Sequence, residues 1–356
     1  MSDEIYEKLA DALDRLPNGF PRTPSNVEIP LLKKIFAPDE AIIAGTLTGE
    51  MEPVTVIAGR VGLPEKEALS KLFSMAKRWQ VFFDKKEGAA YFRLAPFIVG
   101  VYEGHLERMD HEFAHLFEEY MDDGGAVGIM KPLPALHRVV PARGTVRSEF
   151  ILPYDDVKAM LEAGRTFGVR DCICRKQQDL VEKRQCTFPL KNCLYFSTVD
   201  RPPRPDDISK EQAMNILDET EKIGLVHTVS NIIEGVFYIC NCCGCCCGIL
   251  SCVTKYGIEE SVARANYFAV INEETCTGCG VCIERCQMNA ITEQGGIAVV
   301  DTKRCIGCGL CVTGCPDTAV ELKRRADAEI IHPPDNFEIW EQQRLKNRDI
   351  SSHTHT

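Results

Sequence analysis

Nineteen cysteines dominate the chemistry open to this 356-residue chain. Eight of them form one pattern written twice: Cys276, Cys279, Cys282 and Cys286, then, 29 residues further on, Cys305, Cys308, Cys311 and Cys315. Each half reads C-x2-C-x2-C-x3-C. Thiolate sulfur is the preferred ligand of soft metals and of iron in sulfide-bridged clusters, and a four-iron cubane takes four of them. Glycines between the cysteines (Gly278, Gly280, Gly307, Gly309) permit tight turns and turn backbone N–H groups toward the sulfurs. The flanks repeat as well: Ala269-Val270-Ile271-Asn272 answers Ala298-Val299-Val300-Asp301, and Asn289-Ala290-Ile291 answers Thr318-Ala319-Val320.

Residues 266–325 closely resemble the bacterial-type ferredoxins that hold two [4Fe–4S] clusters. The resemblance implies electron carriage and crossed ligation, the fourth cysteine of each run serving the other cluster. One cluster would then use Cys276, Cys279, Cys282 and Cys315, and the other Cys305, Cys308, Cys311 and Cys286. A pair of zinc sites is the competing reading, but paired zinc loops lack the x3-C-P continuation. There is one departure from the family pattern. Pro316 follows Cys315, whereas Gln287 follows Cys286, a change expected to act on the local turn or the potential and not on the ligand count.

Eleven cysteines remain. Cys172, Cys174, Cys186 and Cys193 form one group; Cys240, Cys242, Cys243, Cys245, Cys246, Cys247 and Cys252 form the other. All but Cys252 are candidate metal ligands; Cys252 follows an apolar stretch and is expected to be a buried filler. If residues 169–174 are a strand, Cys172 and Cys174 share a face, as do Cys240 and Cys242, and the two pairs are expected to share a centre. Three chemistries stay open: one or two further iron–sulfur clusters drawing ligands from both groups, a zinc site, or reactive thiols or a redox disulfide. Arg175 and Lys176 could offset thiolate charge, or be plain exposed cations.

The elements that must position these residues divide the chain. Residues 1–120 contain no cysteine and read as mostly helical, with short helices at 31–36 and 40–47. Residues 54–61, a turn at 62–64 and residues 65–79 form a helix-turn-helix with Val54, Ile57, Ala58, Leu63, Ala68, Leu72 and Met75 as core positions. Residues 81–83 and 89–94 around a turn at 84–88 read as a hairpin, so this region resembles a winged helix. A long amphipathic helix is predicted over 102–121. The cysteine-rich region, 121–265, has helices at 155–163 and 209–223, strands at 168–174 and 235–240, and a loop at 201–205. After the repeated module at 266–325, residues 326–356 read as a polar helix and tail. The fold class is therefore α+β multidomain: a winged-helix-like domain, a cysteine-rich α/β middle domain and a C-terminal dicluster ferredoxin fold. This order, with the CNCCGCCC run, resembles a family of large ferredoxin-type proteins of anaerobic metabolism.

Other signals are weaker. His111-Glu112-Phe113-Ala114-His115 matches HExxH, but both histidines fall on the solvent side of the predicted helix, where no second wall can enclose a metal. The helix-turn-helix invites a DNA reading, yet residues 1–120 hold fourteen Lys/Arg against twenty Asp/Glu, and phosphate contact needs a positive surface. His353 and His355 suggest only adventitious metal binding. No Rossmann or Walker glycine pattern occurs, and no catalytic set can be singled out. No apolar run reaches the roughly 18 residues that span a bilayer, the N-terminus lacks an export signal, and the net charge is −11, so a cytoplasmic location is expected. The functional expectation is an electron-transfer protein, a subunit or partner of an oxidoreductase, exchanging electrons with redox proteins and not with nucleic acid or a membrane. Two alternatives are an enzyme with an open iron site in the middle region and a redox sensor acting through the winged helix.

Overall fold

A computed structural model describes residues 2–348 of the chain, so His353 and His355 lie outside the described residues. Two compact units result: Met1–Pro132 with Gln177–Glu182 and Glu341–Thr356, and Leu133–Lys176 with Lys183–Trp340.

The first unit opens with helices Ser2–Asp14, Glu28–Ile35 and Pro38–Ala44. Helices Val54–Val61 and Glu65–Ala76 follow, separated by a turn in which Gly62 takes φ 68°, a conformation that favours glycine. Val54, Ile57, Ala58, Ala68, Leu72 and Met75 are buried as their spacing requires, while Leu63 is half-buried. Strands Val81–Lys86 and Ala89–Leu94 pair around a tight turn whose central residues, Glu87 and Gly88, both have positive φ. The short strand Glu52–Pro53 pairs with Ala89–Leu94 to complete a three-stranded sheet.

The single helix expected over 102–121 is broken. Tyr102–Gly104 and a 3-10 turn at Leu106–Arg108 stop at the extended Met109, and a new helix, His111–Tyr120, begins. The reason is local: the Asp110 carboxylate accepts from Phe113 N at 2.7 Å and so starts a helix of its own. This unit continues to Pro132, past the boundary expected near 120. Nor is the final helix, Phe337–Asn347, merely polar: Arg344 is fully buried and donates to the carbonyls of Pro17, Ile129 and Pro132.

The second unit is built on a seven-stranded sheet. Its strand order is Val262–Ala263, His137–Val140, Val226–Ser230, Tyr238–Cys242, Lys191–Ser197, Thr166–Asp171, Asp207–Ile208. All neighbours are antiparallel except Val262–Ala263 against His137–Val140. Helices Val157–Glu162 and Lys210–Ile223 place Val157, Leu161, Ala213 and Leu217 against Phe167, Val169, Leu194, Phe196 and Ile239 of the sheet. Each large apolar side chain so buried contributes about 1.5–3 kcal/mol. Ser209 and Gln212 close a capping box at the start of the longer helix.

Residues 266–325 belong to this same unit. They form a repeat: strand pair Tyr267–Ile271 with Val320–Arg324, strand pair Ile291–Gln294 with Ile297–Val300, and short helices Val281–Glu284 and Leu310–Gly314. The repeat joins the sheet region through main-chain bonds, Ala142 N to Cys308 O at 2.9 Å and Ala265 N to Ile306 O at 3.0 Å. Arg285 adds a second tie. Its guanidinium donates to Glu221 O, which also accepts from Gly224 N, and to Lys222 O, both at the C-terminal end of helix Lys210–Ile223.

Candidate metal centres

Two cavities open within the C-terminal repeat. One is lined by Cys276, Cys279, Cys282 and Cys315. The other is lined by Cys286, Cys305, Cys308 and Cys311. The fourth cysteine of each run thus faces the first three of the other. Apolar walls complete both spaces, Ile271, Ala298 and Val320 in the first and Ala269, Met288 and Leu322 in the second. The glycines hold the loops close. A Cβ at Gly278 (φ 69°) would sit 2.2 Å from Gly296 O, and one at Gly307 (φ 73°) would sit 2.3 Å from Tyr267 O. The repeat also reproduces its hydrogen bonds: Ala290 N donates to Cys286 Sγ at 3.2 Å and Ala319 N to Cys315 Sγ at 3.3 Å. Burial pushes the Cys308 thiol up to about 12, so binding a cation there must expel its proton. Four thiols around each apolar space of this kind match the donor set of a cubane, which supplies reversible one-electron chemistry when bound.

The sequence of residues 269–322 matches the family model of the 4Fe-4S dicluster domain. The C-terminal repeat is a 4Fe-4S dicluster domain. No curated protein matches the chain. Within the dicluster domain exposure is uneven. Cys279 is exposed, whereas Cys282, Cys305 and Cys311 are buried.

The other eleven cysteines sort into two sets and a remainder, and all nineteen are free of disulfides. The first set is a buried ring in which each thiol feels the next electrostatically: Cys172 with Cys174, Cys174 with Cys247, Cys247 with Cys242, and Cys242 with Cys172. Cys240, at its edge, interacts electrostatically with both Cys193 and Cys242. The second set is Cys186, Cys243, Cys245 and Cys246, whose sulfurs all lie within 4.8 Å of one another. Cys252 belongs to neither. It is fully buried and its thiol donates to Gly248 O at 2.9 Å, a filler as its surroundings suggest.

The strand alternation that paired Cys172 with Cys174 does not hold. The strand ends at Asp171, and Cys174 lies in the first turn of helix Ile173–Leu180. The two thiols meet because the chain turns sharply at Cys172, whose N–H bonds Leu190 O at 2.8 Å. Cys240 and Cys242 do share strand Tyr238–Cys242, two residues apart on one face, and interact electrostatically.

Arg175 is not an exposed cation. Its side chain is fully buried and donates to Pro189 O, to Asn192 Oδ1 at 2.8 Å and to Asn241 O at 2.7 Å, while Nε has no partner. Burial opposes its charge, but the sulfurs of Cys172, Cys243 and Cys242 outweigh burial and hold it protonated. Arg175 therefore stands between the two thiol sets as their shared counter-charge.

A buried polar line leads away from the ring. Thr228 Oγ1 lies 3.4 Å from Cys242 Sγ and 3.3 Å from His137 Nδ1, and His137 Nε2 shares a 2.7 Å hydrogen bond with the Tyr238 hydroxyl. Burial lowers the His137 pKa from 6.5 to about 3, so the imidazole is neutral in the folded chain. The unfolded chain binds this proton first, so the stability His137 confers is complete above about pH 6.5 and falls as pH drops toward about 3. In urea unfolding between pH 7 and 5, His137→Gln should remove part of the loss on acidification. An unchanged pH slope would exclude His137 as its source.

The HExxH histidines are both exposed, with their Nε2 atoms 3.3 Å apart on one helix face. Nothing in this arrangement builds an enclosed catalytic metal site. Two site features escaped the sequence reading: the burial of Arg175 and the role of Gln287. The Gln287 side chain accepts from Gly244 N at 2.9 Å and donates to Gly224 O at 2.9 Å, so the residue that replaces the family proline joins the CNCCGCCC loop to Cys286.

Proposed function

We propose that this chain is an electron-transfer protein in which the dicluster domain exchanges single electrons with redox proteins at its surface and with a further iron–sulfur centre in the second unit. One cluster takes Cys276, Cys279, Cys282 and Cys315 and the other Cys286, Cys305, Cys308 and Cys311, a reading supported by the two cavities that these quartets line. The observation that carries the direction of transfer is the gradient of exposure. Cys279 meets solvent, with exposed Glu273 and Glu274 nearby in sequence to attract a basic partner surface. The other cavity faces the sheet region through Ala142 N to Cys308 O.

The further centre is assigned to the ring of Cys172, Cys174, Cys242 and Cys247. From it the connection inward is short: Cys242-Cys243-Gly244, one hydrogen bond to Gln287, then Cys286. Gln287→Leu removes both side-chain bonds and should keep all the iron while slowing electron equilibration between the dicluster domain and the further centre after rapid reduction. Equilibration at the wild-type rate would remove Gln287 from the path. The helix pair and hairpin of the first unit support a winged-helix-like docking element. Its acidic balance argues for a protein partner over nucleic acid.

Iron, zinc and acid-labile sulfide counted on anaerobically purified protein test this reading. The expected result is more than about eight irons per chain with reversible bleaching by dithionite. A count of about eight irons with zinc as the balance would end the electron path in the dicluster domain.

A further inference from the structure

The two thiol sets of the second unit differ in size, and the difference points to different occupants. Among the described residues, Cys186, Cys243, Cys245 and Cys246 are the sole group of three or more metal-ligating side chains whose donor atoms all lie within 4.8 Å of one another. Three of the separations are 3.8 Å (Cys186–Cys243), 3.7 Å (Cys186–Cys246) and 3.5 Å (Cys245–Cys246). A metal–thiolate bond of about 2.3 Å sets the sulfurs of a tetrahedron about 3.8 Å apart. A cubane interposes irons and sulfides between its thiolates and needs a wider opening. The dicluster domain is the internal comparison: its two quartets line separate cavities, and neither closes to 4.8 Å.

We propose that Cys186, Cys243, Cys245 and Cys246 form a single-metal tetrathiolate site, distinct from the iron–sulfur centre assigned to Cys172, Cys174, Cys242 and Cys247. The surroundings suit a charged thiolate set. Leu225 packs against Cys243 and Cys246 on the apolar side, and Phe188 lies against the same cluster. The buried guanidinium of Arg175 faces Cys243. Arg184 fixes the loop that brings Cys186 in, donating to Cys186 O at 2.8 Å and to Phe188 O. Gln287 holds Gly244 between two of the ligands, and a Cβ at Gly244 would lie 1.9 Å from Gln287 O. The donor set accepts zinc or mononuclear iron, both tetrahedral with thiolates. With zinc the site is structural; with iron it would be a further one-electron centre.

This inference rests on the metal-binding reading of the second unit, and the test separates the two. Metals and sulfide are counted on anaerobically purified full-length wild type, Cys245→Ser, Cys186→Ser and Cys174→Ala, and each protein is also produced with cobalt(II) in place of zinc in the medium, its iron–sulfur clusters left intact. Wild type should hold one metal per chain in excess of its sulfide, whether zinc or iron. Cys245→Ser and Cys186→Ser, altered in different loops, should each lose that one metal and keep the sulfide. Cys174→Ala should lose sulfide and iron together and keep the single metal. Cobalt should give the intense sulfur-to-metal charge-transfer and tetrahedral d–d bands of one tetrathiolate site in wild type and in Cys174→Ala, and not in Cys245→Ser. Sulfide lost from Cys245→Ser in proportion to iron would make the site a cluster and overturn the inference, while the electron-transfer reading would survive. Absence of any excess metal or of the cobalt bands in wild type would also overturn it. Iron retained in the dicluster domain of every variant is the control for folding.

Discussion

Cys286→Ala should strip the cluster held by Cys305, Cys308 and Cys311 and spare the one beside it in sequence. The expectation follows from the two cavities, where Cys286 lines the space of the second run and Cys315 that of the first. About four of the roughly eight irons of the dicluster domain should be lost. Double substitutions make the crossing decisive. Cys286→Ala with Cys308→Ala removes two ligands of one cavity and should cost no more iron than Cys286→Ala alone. Cys286→Ala with Cys279→Ala strikes both cavities and should cost nearly all of it. The opposite pattern, with Cys279 and Cys286 behaving as one site, would show local ligation of each run. The electron path would then lose its link from Gln287 to the inner cavity, because Cys286 would serve the outer one.

The dicluster domain was legible because its chemistry is local. Three ligands of a cluster must fit on one loop, so spacing and glycines carry the information. The helix pair at Val54–Val61 and Glu65–Ala76 was legible for a similar reason, since apolar periodicity shows which face is buried. The middle cysteines were not. Their grouping depends on the register of Tyr238–Cys242 within the sheet and on the turn at Cys172, neither of which a run of cysteines encodes. Cys242 and Cys243 are neighbours in sequence yet fall in different sets, because strand Tyr238–Cys242 ends between them and the chain turns away from the sheet at Cys243. Gln287 read as a lost proline, although its side chain forms a bridge that exists only once the dicluster domain is seated on the sheet region. The break at Asp110 was readable in principle: an aspartate three residues before Phe113 is a helix start, and the apolar pattern running through it concealed the signal.

Arg175→Met should be the most damaging substitution outside the cysteines. Methionine matches the length of the aliphatic stem but leaves Asn192 Oδ1, Asn241 O and Pro189 O without their donor in a buried place. Breaking a buried charged contact by removing one partner costs about 3–5 kcal/mol. At about 2–4 °C of melting temperature per kcal/mol for a domain of this size, the loss should exceed about 6 °C. The second consequence is electrostatic. Both thiol sets lose their common counter-charge, so anionic thiolates at Cys172, Cys242 and Cys243 become harder to maintain, and metal content of the second unit should fall while the dicluster domain keeps its iron. Any iron–sulfur centre that remains on the ring should be harder to reduce, its midpoint potential shifting negative, because reduction adds charge to a site already short of a cation. Arg175→Lys separates the two effects. It retains the charge but cannot reach three acceptors with a planar fork, so metal content should recover further than stability does. Wild-type metal content and melting temperature in Arg175→Met would remove the guanidinium from both roles, and the two thiol sets would then have to balance their charge through backbone N–H groups and Thr228 alone.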